Sequence, residues 1–245
     1  MIDRMNTETP PGAYPLHDYY SKIVGRYDIV NRLFTFGNDR KWRRKAARMV
    51  LKQNPSDVID LCCGTGDLTM EILELSNRSI KMTGFDFNAQ MLREARTKAE
   101  KKSLTGIEFV VGDVASMPFV QGTFDAASVA FGLRNLIFSN PNSEKHINEI
   151  KRIIKPGGSL IILESTSPSN RIVNFFFRIY LNLFLVPLGG IISGNWKAYK
   201  YLAGSSSKFF NSARLLAYLE ENGFIPLSVS SFFMGAVTLA TVKKA

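Results

Sequence analysis

The sequence predicts an α/β fold whose core is a seven-stranded, mostly parallel sheet with an antiparallel last strand. Short apolar runs alternate with helical patterns between residues 57 and 164, which is the order of β–α–β units. A glycine turn, Gly64-Thr65-Gly66, joins the first strand to a helix, as in Rossmann-like sheets that bind nucleotides where strands end. Two final apolar runs, residues 225–233 and 236–242, flank a short turn and are therefore antiparallel.

Length and charge limit the possible interpretations. With 245 residues the chain can form one sizeable core, and we predict one domain over residues 17–245 after a loose polar tail at residues 1–16. The formal net charge of +10 fits nucleic acid, an anionic membrane surface or solubility alone. Cys62 and Cys63 are adjacent on the first predicted strand, so we expect no disulfide, and a reducing cytoplasm is the simplest compartment.

The N-terminal part is predicted to be helical from residue 17 to residue 51, with a break at Gly37-Asn38. The second of these helices begins with a basic run at residues 39–45, DRKWRRK. This run is either a solvated helix face or a surface that contacts anionic lipid head groups. A nucleic-acid surface would need more aromatic side chains among the basic ones, so we predict no nucleic-acid partner.

The first β–α unit carries the most informative residues. A dinucleotide fingerprint needs a third glycine, and this sequence has Thr69 in its place. Asp60 precedes the glycine turn and Asp67 follows it, and two carboxylates beside the loop would repel a pyrophosphate. They suit a cationic ligand such as S-adenosylmethionine, which carries a sulfonium and an ammonium. Gly64 and Gly66 would let the backbone approach it. An ordinary β–α turn is the alternative.

Two more carboxylates follow the next two strands. Asp86 lies about 20 residues after the glycine turn, the spacing at which a carboxylate accepts ribose hydroxyls. Asp113 follows the third strand, where a carboxylate can accept the amine of adenine while the backbone N–H of Val114 meets a ring nitrogen. Helix capping by Asp86 and a plain turn at Asp113 are the alternatives. Because parallel strands end at one edge of a sheet, we expect Asp60, Asp86 and Asp113 to be neighbours.

The remaining units of the sheet have clear start and stop signals. Asn88 is the best-placed N-cap of the helix after the second strand, Pro156-Gly157-Gly158 ends a later helix, and Gly223 ends the last one. The predicted strands are residues 80–85, 107–111, 124–131 and 159–164, and the predicted helices are residues 88–102, 143–154 and 213–222.

Residues 165–210 do not fit a β–α–β repeat and are predicted to form an aromatic-rich helical insertion before the sixth strand. The apolar stretch 172–192 has the length of a membrane span. We expect Pro187 and Gly189-Gly190 to break the helix before about 20 residues are spanned. We therefore interpret the insertion as a cover over a lipophilic pocket, with a pair of ordinary core helices as the alternative.

Several short motifs occur here in a combination typical of one known family. They are Tyr27-Asp28 with Asn31, Phe36-Gly37, Arg40-Lys41-Trp42-Arg43, Asp60-Leu61 with Gly64-Thr65-Gly66-Asp67-Leu68-Thr69, Phe131-Gly132-Leu133-Arg134-Asn135, and Tyr199-Lys200-Tyr201-Leu202 with Ser205 and Phe209. From about residue 20 to residue 243 the chain resembles the ubiquinone/menaquinone biosynthesis C-methyltransferases, which are class I S-adenosylmethionine-dependent methyltransferases.

The resemblance implies a reaction and a cofactor. The substrate would be a polyprenylated hydroquinone, methylated on a ring carbon in menaquinone or ubiquinone biosynthesis. The cofactor would be S-adenosylmethionine, with contacts at Thr69, Asp86, Asp113 and Val114. A serine that the family has directly before the Phe-Gly-Leu-Arg-Asn run is Ala130 here.

The resemblance also selects candidate catalytic residues. A ring carbon becomes nucleophilic when its neighbouring hydroxyl ionises, and Arg134 could stabilise that oxyanion or position a water that accepts the proton. Asn135 and Tyr27 could hold this arrangement. A structural salt bridge is the alternative for Arg134. Methyl transfer from a sulfonium needs no metal, so we expect none.

The last expectations concern the binding partners of the protein and its cellular compartment. We expect a cytoplasmic enzyme that associates peripherally with the inner face of an anionic membrane, and a homodimer is open. The alternative function is an RNA or other small-molecule methyltransferase on the same fold. A nucleic-acid enzyme that methylates amino groups commonly has an Asn/Asp-Pro-Pro-aromatic run where this chain has Gly132-Leu133-Arg134-Asn135. The sequence leaves the quinone head group and the prenyl length open.

Overall fold

The centre of the structure is the predicted seven-stranded sheet. The computed structural model describes residues 16–245, without the side chains of residues 16–20, 22 and 23. The predicted tail at residues 1–16 therefore lies outside the described residues, except for Leu16, where the first helix starts. The strands are β1 Asp57–Leu61, β2 Lys81–Asp86, β3 Ile107–Val111, β4 Phe124–Ala130, β5 Ile154–Ser165, β6 Phe224–Phe232 and β7 Val237–Lys244.

The strand order confirms the predicted fold class. The sheet runs β3-β2-β1-β4-β5-β7-β6. Strands β1 to β5 are parallel to one another, and β7 is antiparallel to both β5 and β6. The first three strands are therefore adjacent, and their carboxyl ends share one edge of the sheet.

Helices cover both faces of the sheet and its carboxyl edge. Those in the described part are α1 Leu16–Phe34, α2 Asn38–Leu51, α3 Asp67–Leu75, α4 Ala89–Lys101, α5 Leu133–Ile137, α6 Ser143–Ile153, α7 Arg171–Tyr180, α8 Val186–Ser193, α9 Trp196–Lys208 and α10 Ser212–Glu221. The predicted break between the first two helices is confirmed at Gly37, which has φ +71°. Gly223 ends α10 with φ +83°, a left-handed conformation that favours glycine.

Strand β5 is longer than predicted, because it begins at Ile154 and not at Ser159. The Pro156-Gly157-Gly158 segment ends α6 but stays in the strand. The pairing register with β4 shifts between Phe124 and Ala126, and this shift accommodates the additional residues.

Strand β1 is buried on both faces, which fixes the direction of its side chains. Ile59 and Leu61 pack into the hydrophobic cluster beneath α6 and α10, and Val58 packs into the cluster beneath α2 and α3. Alternation along the strand puts Asp60 on the same face as Val58. Asp60 therefore faces α3, the helix that follows the glycine turn.

The predicted break in the insertion is wrong. A continuous helix runs from Arg171 to Ser193, and we call it the cover helix. It consists of α7, a π-helical segment at Leu181–Leu185, and α8. Pro187 is the second residue of α8 and follows the π-helical segment directly, so its missing N–H falls where the hydrogen-bond pattern of the helix already changes. A Cβ on Gly189 would lie 2.3 Å from the ring of Tyr199, so this glycine admits α9 rather than ending the helix.

The cover helix is not an ordinary core helix. None of the residues of α7 is buried. Among the described residues, this is the one helix long and apolar enough to cross a membrane by length and composition alone. Only 28% of its most apolar stretch is buried within the protein. Its inner face, with Leu181 and Leu185, packs against Val30 of α1 and Tyr199 of α9. The remaining apolar surface faces outward.

Candidate active site

Asp86, at the end of β2, holds the glycine turn in place. Its Oδ2 accepts the backbone N–H of Gly64 and its Oδ1 accepts that of Asn88, both at 2.8 Å. Burial raises the pKa of this carboxyl to about 6, although the two hydrogen bonds act to lower it. Asp86 does not cap the next helix, because Asn88 does so by accepting from the N–H groups of Gln90 and Met91. A carboxylate has about four acceptor positions, so about two are left for ligand hydroxyls.

Asp60 is held by two hydroxyl groups from different elements. Thr69 Oγ1 donates to its Oδ2 and Ser128 Oγ donates to its Oδ1, both at 2.7 Å. Burial raises the pKa of the Asp60 carboxyl to about 6, and both hydroxyl donors oppose that shift. Thr69 is itself fully buried, so its hydroxyl orients the Asp60 carboxylate from the protein interior. A direct contact between Thr69 and the cofactor stays a prediction.

Asp113 follows β3 and is paired with His146, which is not among the site residues predicted from the sequence. Its Oδ1 accepts the N–H of Ala115 at 2.9 Å and lies 3.5 Å from His146 Nε2. The hydrogen bond from His146 holds the pKa of the Asp113 carboxyl below its usual value. His146 Nδ1 lies 2.8 Å from the carbonyl oxygen of Leu136. A lone histidine on the buried face of α6 carries no sequence signal that separates it from core packing.

Asp86, Asp113 and His146 line a cleft of about 910 Å³, solvent at its mouth included, which we call the cofactor cleft. Its lining includes Tyr27, Cys62, Gly64, Asp86, Asp113, Val114, Asn135 and His146. Gly64 has φ +56°, and a Cβ there would meet no atom within 4 Å, so the turn presents open backbone to the cleft. Hydroxyl, amino and cationic groups fit such a set of acceptors, and S-adenosylmethionine carries all three.

The two cysteines lie in the turn and not on β1, contrary to the sequence-based prediction. Strand β1 ends at Leu61, and Cys62 has φ +52°. Both thiols are free. A Cβ added to Gly132 would lie 2.5 Å from the Cβ of Cys62, which explains the glycine in the Phe-Gly-Leu-Arg-Asn run.

A second, more apolar cleft of about 860 Å³ lies beside the first, and we call it the apolar cleft. Its lining includes Tyr27, Phe34, Trp42, Arg43, Phe131, Arg134, Phe177, Tyr180, Leu181, Leu185 and Leu202. Tyr27 and Phe131 line both clefts. Phe131 has φ +60°, a strained conformation of the kind that clusters at functional sites.

Arg134 is buried in the apolar cleft and forms an ion pair there. Its Nη1 lies 3.4 Å from Glu164 Oε1, and its backbone N–H donates to Glu164 Oε2 at 3.0 Å. Burial raises the pKa of the Glu164 carboxyl although Arg134 opposes the shift. The Nε of Arg134 is buried without a hydrogen-bond partner among the described residues. Arg134 therefore forms the structural salt bridge that the sequence left as the alternative. Its Nε stays without a partner among the described residues.

The other two predicted catalytic residues lie at different places. Tyr27 lies between the clefts, and burial raises the pKa of its phenol, so it stays protonated at neutral pH. Asn135 lines the cofactor cleft, and its Oδ1 accepts from the Tyr201 hydroxyl at 3.3 Å. Asn135 thus links the cofactor side of the site to α9.

Helix α1 is fastened over the glycine turn by a polar cluster that the sequence analysis did not identify. Thr65 Oγ1 donates to Asp28 Oδ1 at 2.8 Å, and Lys98 Nζ donates to Asp28 Oδ2 at 2.9 Å. Lys98 also donates to Asp67. Burial opposes ionisation of Asp67, but Arg43 and Lys98 outweigh it and lower the pKa of its carboxyl. Asp67 is thus already paired within the protein.

The basic run at the start of α2 divides into two classes. Arg40, Lys41, Arg44 and Lys45 are exposed, whereas Trp42 and Arg43 are buried. Arg43 Nη1 donates to the buried Asp39 at 2.7 Å, and its guanidinium lies 5.4 Å from the ring of Phe131. The solvated-face interpretation therefore fails for Arg43, which belongs to the site.

Clusters of acidic, histidine and cysteine side chains that could hold a metal ion do not occur in the described part of the chain. The polar groups at the two clefts are instead hydroxyls, backbone N–H groups, carboxylates and two arginines. Such a set binds and orients organic ligands.

Solved structures with the same fold have little sequence in common with this chain. They include the [4+2]-cyclase SpnF, with a TM-score of 0.63, 15% identity and 97% of each chain covered. A putative methyltransferase from Bacillus halodurans has a TM-score of 0.61 and 19% identity over 82% of this chain and 98% of its own. These likenesses concern the fold alone.

Sequence relatives are much nearer. Residues 8–244 match the ubiE/COQ5 methyltransferase family. A demethylmenaquinone methyltransferase of Thermus thermophilus is 39% identical over 84% of this chain and 90% of its own, and one of Lactobacillus johnsonii is 31% identical over 96% and 95%. A protein of Geobacter sulfurreducens named ubiquinone/menaquinone biosynthesis C-methyltransferase UbiE is 32% identical over 94% and 88%. The chain therefore belongs to the ubiE/COQ5 family of S-adenosylmethionine-dependent C-methyltransferases of menaquinone and ubiquinone biosynthesis.

Proposed function

We propose that this enzyme methylates a ring carbon of a polyprenylated hydroquinone of the demethylmenaquinol type. The observation that carries the proposal is that an acid-lined cleft and an apolar cleft meet at Tyr27 and Phe131. The first suits a cationic methyl donor and the second suits a lipid-soluble acceptor. The relatives from Thermus thermophilus and Lactobacillus johnsonii are named demethylmenaquinone methyltransferases, which favours the menaquinone precursor over the ubiquinone precursor.

Residues at the carboxyl edge of the sheet would bind the donor through complementary groups. Asp86 would accept the ribose hydroxyls, Asp113 and the N–H of Val114 would meet the adenine, and Gly64 and Gly66 would let the backbone approach the ligand. Asp60 would face the ammonium. When bound, S-adenosylmethionine supplies an electrophilic methyl group on a sulfonium.

Arg134 would stabilise the substrate oxyanion. A hydroquinone hydroxyl that enters an apolar cleft ionises unfavourably unless a cation is present. The Arg134 guanidinium is buried there, and its Nε has no partner in the described part of the chain. One free N–H donor on a pre-positioned cation would favour the phenolate over the phenol, and the ring carbon beside it would become nucleophilic. The hydroxyl proton would pass to a water, and after methyl transfer the methylated ring carbon would lose its own hydrogen as a proton, which restores the aromatic hydroquinone. Glu164 would hold the guanidinium in place.

Tyr27 and Asn135 would position the two ligands relative to each other. Because the phenol of Tyr27 stays protonated, it can donate a hydrogen bond where the clefts meet. The apolar side chains around Arg134, among them Phe177, Leu181 and Leu185, would hold the first isoprene units and exclude water. Orientation of this kind can contribute on the order of 7–11 kcal/mol to catalysis.

We also propose that the cover helix lies on the surface of an anionic membrane. Its outward face exposes Ile172, Phe175, Phe176, Leu183, Phe184 and Ile191. Arg171 and Arg178 are exposed on the same helix, and the whole chain carries a net charge of +10. The same helix lines the apolar cleft from inside. A quinol could thus pass from the lipid into the cleft, and the protein would work on the cytoplasmic face of that membrane.

Methyl transfer tests the proposed reaction. Purified protein with tritiated S-adenosylmethionine should label a prenylated demethylmenaquinol and leave RNA unlabelled. Arg134→Met should abolish turnover while S-adenosylmethionine still binds, and Arg93→Met is the matched control, because Arg93 is exposed on α4 outside both clefts. Label on RNA but not on the quinol would contradict the proposal, as would full turnover by the Arg134 variant.

Vesicle sedimentation tests the membrane surface. Phe175→Ser with Phe176→Ser should reduce binding to vesicles that contain an anionic phospholipid. Val120→Ser is the control, because Val120 is 80% exposed and lies outside the cover helix. Equal binding by the three proteins would exclude this surface. Sedimentation velocity of the free protein tests the homodimer that the sequence leaves open.

A further inference from the structure

A third, smaller cleft of about 340 Å³ opens beside the glycine turn, and we call it the side cleft. Its lining is Tyr27, Arg43, Asp60, Cys62, Cys63, Gly64, Thr65, Asp67, Leu68 and Ala130. It shares Gly64 and Ala130 with the cofactor cleft, and it shares Arg43 with the apolar cleft. A ligand that lies along the glycine turn therefore has one end in the side cleft.

The two acidic groups of the side cleft already have hydrogen-bond partners within the protein, but Asp60 keeps about two of its four acceptor positions. Asp60 accepts from two hydroxyls, and Asp67 is paired with Lys98. An anionic ligand group placed near them would be repelled unless a cation stood close by. Arg43 is the cation that lines this cleft in the described part of the chain.

The Arg43 guanidinium can donate further hydrogen bonds. Its side chain is 10% exposed, and Asp39 fixes it through one hydrogen bond from Nη1. The other N–H groups of its guanidinium have no hydrogen-bond partner among the described residues. Arginine presents five donors in a planar fork that matches a carboxylate, so Asp39 can orient this guanidinium without saturating it.

We propose that Arg43 binds the α-carboxylate of the methionyl end of S-adenosylmethionine. This inference rests on the cofactor assigned above. The methionyl end carries one ammonium and one carboxylate, and the side cleft offers the acidic Asp60 and the basic Arg43. A guanidinium–carboxylate pair in a half-enclosed site forms charge-assisted hydrogen bonds, which are stronger than those between neutral groups.

Arg43 also reaches the apolar cleft, where it could instead face an oxygen of the hydroquinone. The two roles differ in which ligand has an affinity that depends on Arg43. A carboxylate partner makes Arg43 matter to cofactor binding before any hydroquinone is present. A hydroquinone partner leaves that binding unchanged.

Calorimetry with two ligands separates these roles. Decarboxylated S-adenosylmethionine keeps the sulfonium and the ammonium but lacks the carboxylate. The Arg43→Gln protein should bind S-adenosylmethionine about ten- to a hundredfold more weakly, because it loses the hydrogen bonds to a charged group. Binding of the decarboxylated ligand should be unchanged or slightly tighter, because a cation near its ammonium has been removed.

Arg44→Gln is the matched control, because Arg44 is exposed on the next position of the same helix and lies 3.6 Å from Glu71. It should bind both ligands as the unchanged protein does. Comparison of the two ligands within one variant cancels any general loss of folding, and Arg43→Lys, which keeps the charge without the fork, should give an intermediate preference.

Three outcomes would overturn the assignment. Equal weakening of both ligands in Arg43→Gln would mean that Arg43 acts only through packing against Phe131. Unchanged affinity for S-adenosylmethionine would mean that the carboxylate lies elsewhere. Failure of the unchanged protein to bind either ligand would refute the cofactor assignment itself, and this result differs from the first two.

Discussion

Affinity for S-adenosylmethionine should fall steeply as the pH is lowered from 7 to 5. Burial raises the pKa of both Asp60 and Asp86 to about 6 in the free protein. A cationic or hydroxyl-bearing ligand stabilises the ionised form of each carboxyl, so binding lowers both pKa values and releases protons. The free protein must therefore ionise both groups before it binds well.

The magnitude follows from the fraction ionised. At pH 5 a group with a pKa of about 6 is roughly one-eleventh ionised, which costs about tenfold in affinity for each carboxyl. If both must be ionised, affinity at pH 5 should be about a hundredfold lower than at pH 7, and at pH 6 about one proton should leave for each ligand bound. The carboxyl and ammonium of the ligand titrate outside this range.

Calorimetry in two buffers of different ionisation enthalpy measures both quantities. Asp86→Asn should bind more weakly at pH 7 but lose about half of the pH dependence, because one titrating group is gone. The series should be repeated in His146→Gln, because His146 also lines the cofactor cleft and lies beside Asp113. An affinity that stays constant between pH 5 and 7, or net proton uptake at pH 6, would refute the reasoning.

Further predictions concern stability and positioning. The free protein should lose stability as the pH rises from about 4 to about 6, because protons bound to Asp60 and Asp86 in the folded state are released there, and thermal unfolding at several pH values measures this. Glu164→Gln should destabilise the protein by about 3–5 kcal/mol in urea, because Arg134 loses its buried partner, and a second change, Arg134→Met, should restore most of it. Thr69→Val should cost about 1–3 kcal/mol, because Asp60 loses a buried donor, and should weaken cofactor binding without changing hydroquinone affinity.

The sheet and its acidic edge were predictable because they depend on local patterns and one topological rule. Short apolar runs fix the strands, and parallel strands that follow one another along the chain end at one edge. Adjacency of β1, β2 and β3 then brings Asp60, Asp86 and Asp113 together without any knowledge of long-range packing. The hydrogen bonds from Gly64 and Ser128 that hold these carboxylates could not be predicted, because the donors come from other elements.

The basic run of α2 shows why a site residue was missed. Trp42, Ala46 and Val50 fall on one face of the helix, and Asp39 and Arg43 lie on that same face four residues apart. Opposite charges at this spacing on an otherwise apolar face indicate a buried ion pair. The signal was present, but the surrounding charges of the run obscured it.

The predicted break in the cover helix depends on the local conformational preferences of proline and glycine. The π-helical segment ends where α8 begins, and it leaves Pro187 in a first turn. The two glycines face the rings of Tyr199 and Trp196, partners that belong to a different helix. A rule about local conformation cannot weigh packing between segments, and here the packing decides.

The distribution of charge across the clefts fits the requirements of the proposed reaction. A cationic donor and a phenolate become two less polar products, so interactions that hold either charge too strongly would favour the reactants over the transition state. Glu164 partly offsets the charge of Arg134, and Asp39 does the same for Arg43. With the proposed roles, each guanidinium would thus stabilise its anion moderately. Arg134 unopposed by Glu164 would bind the phenolate more tightly and leave its ring carbon less reactive, so a Glu164→Gln protein that folds should show a lower KM for the hydroquinone together with a lower kcat.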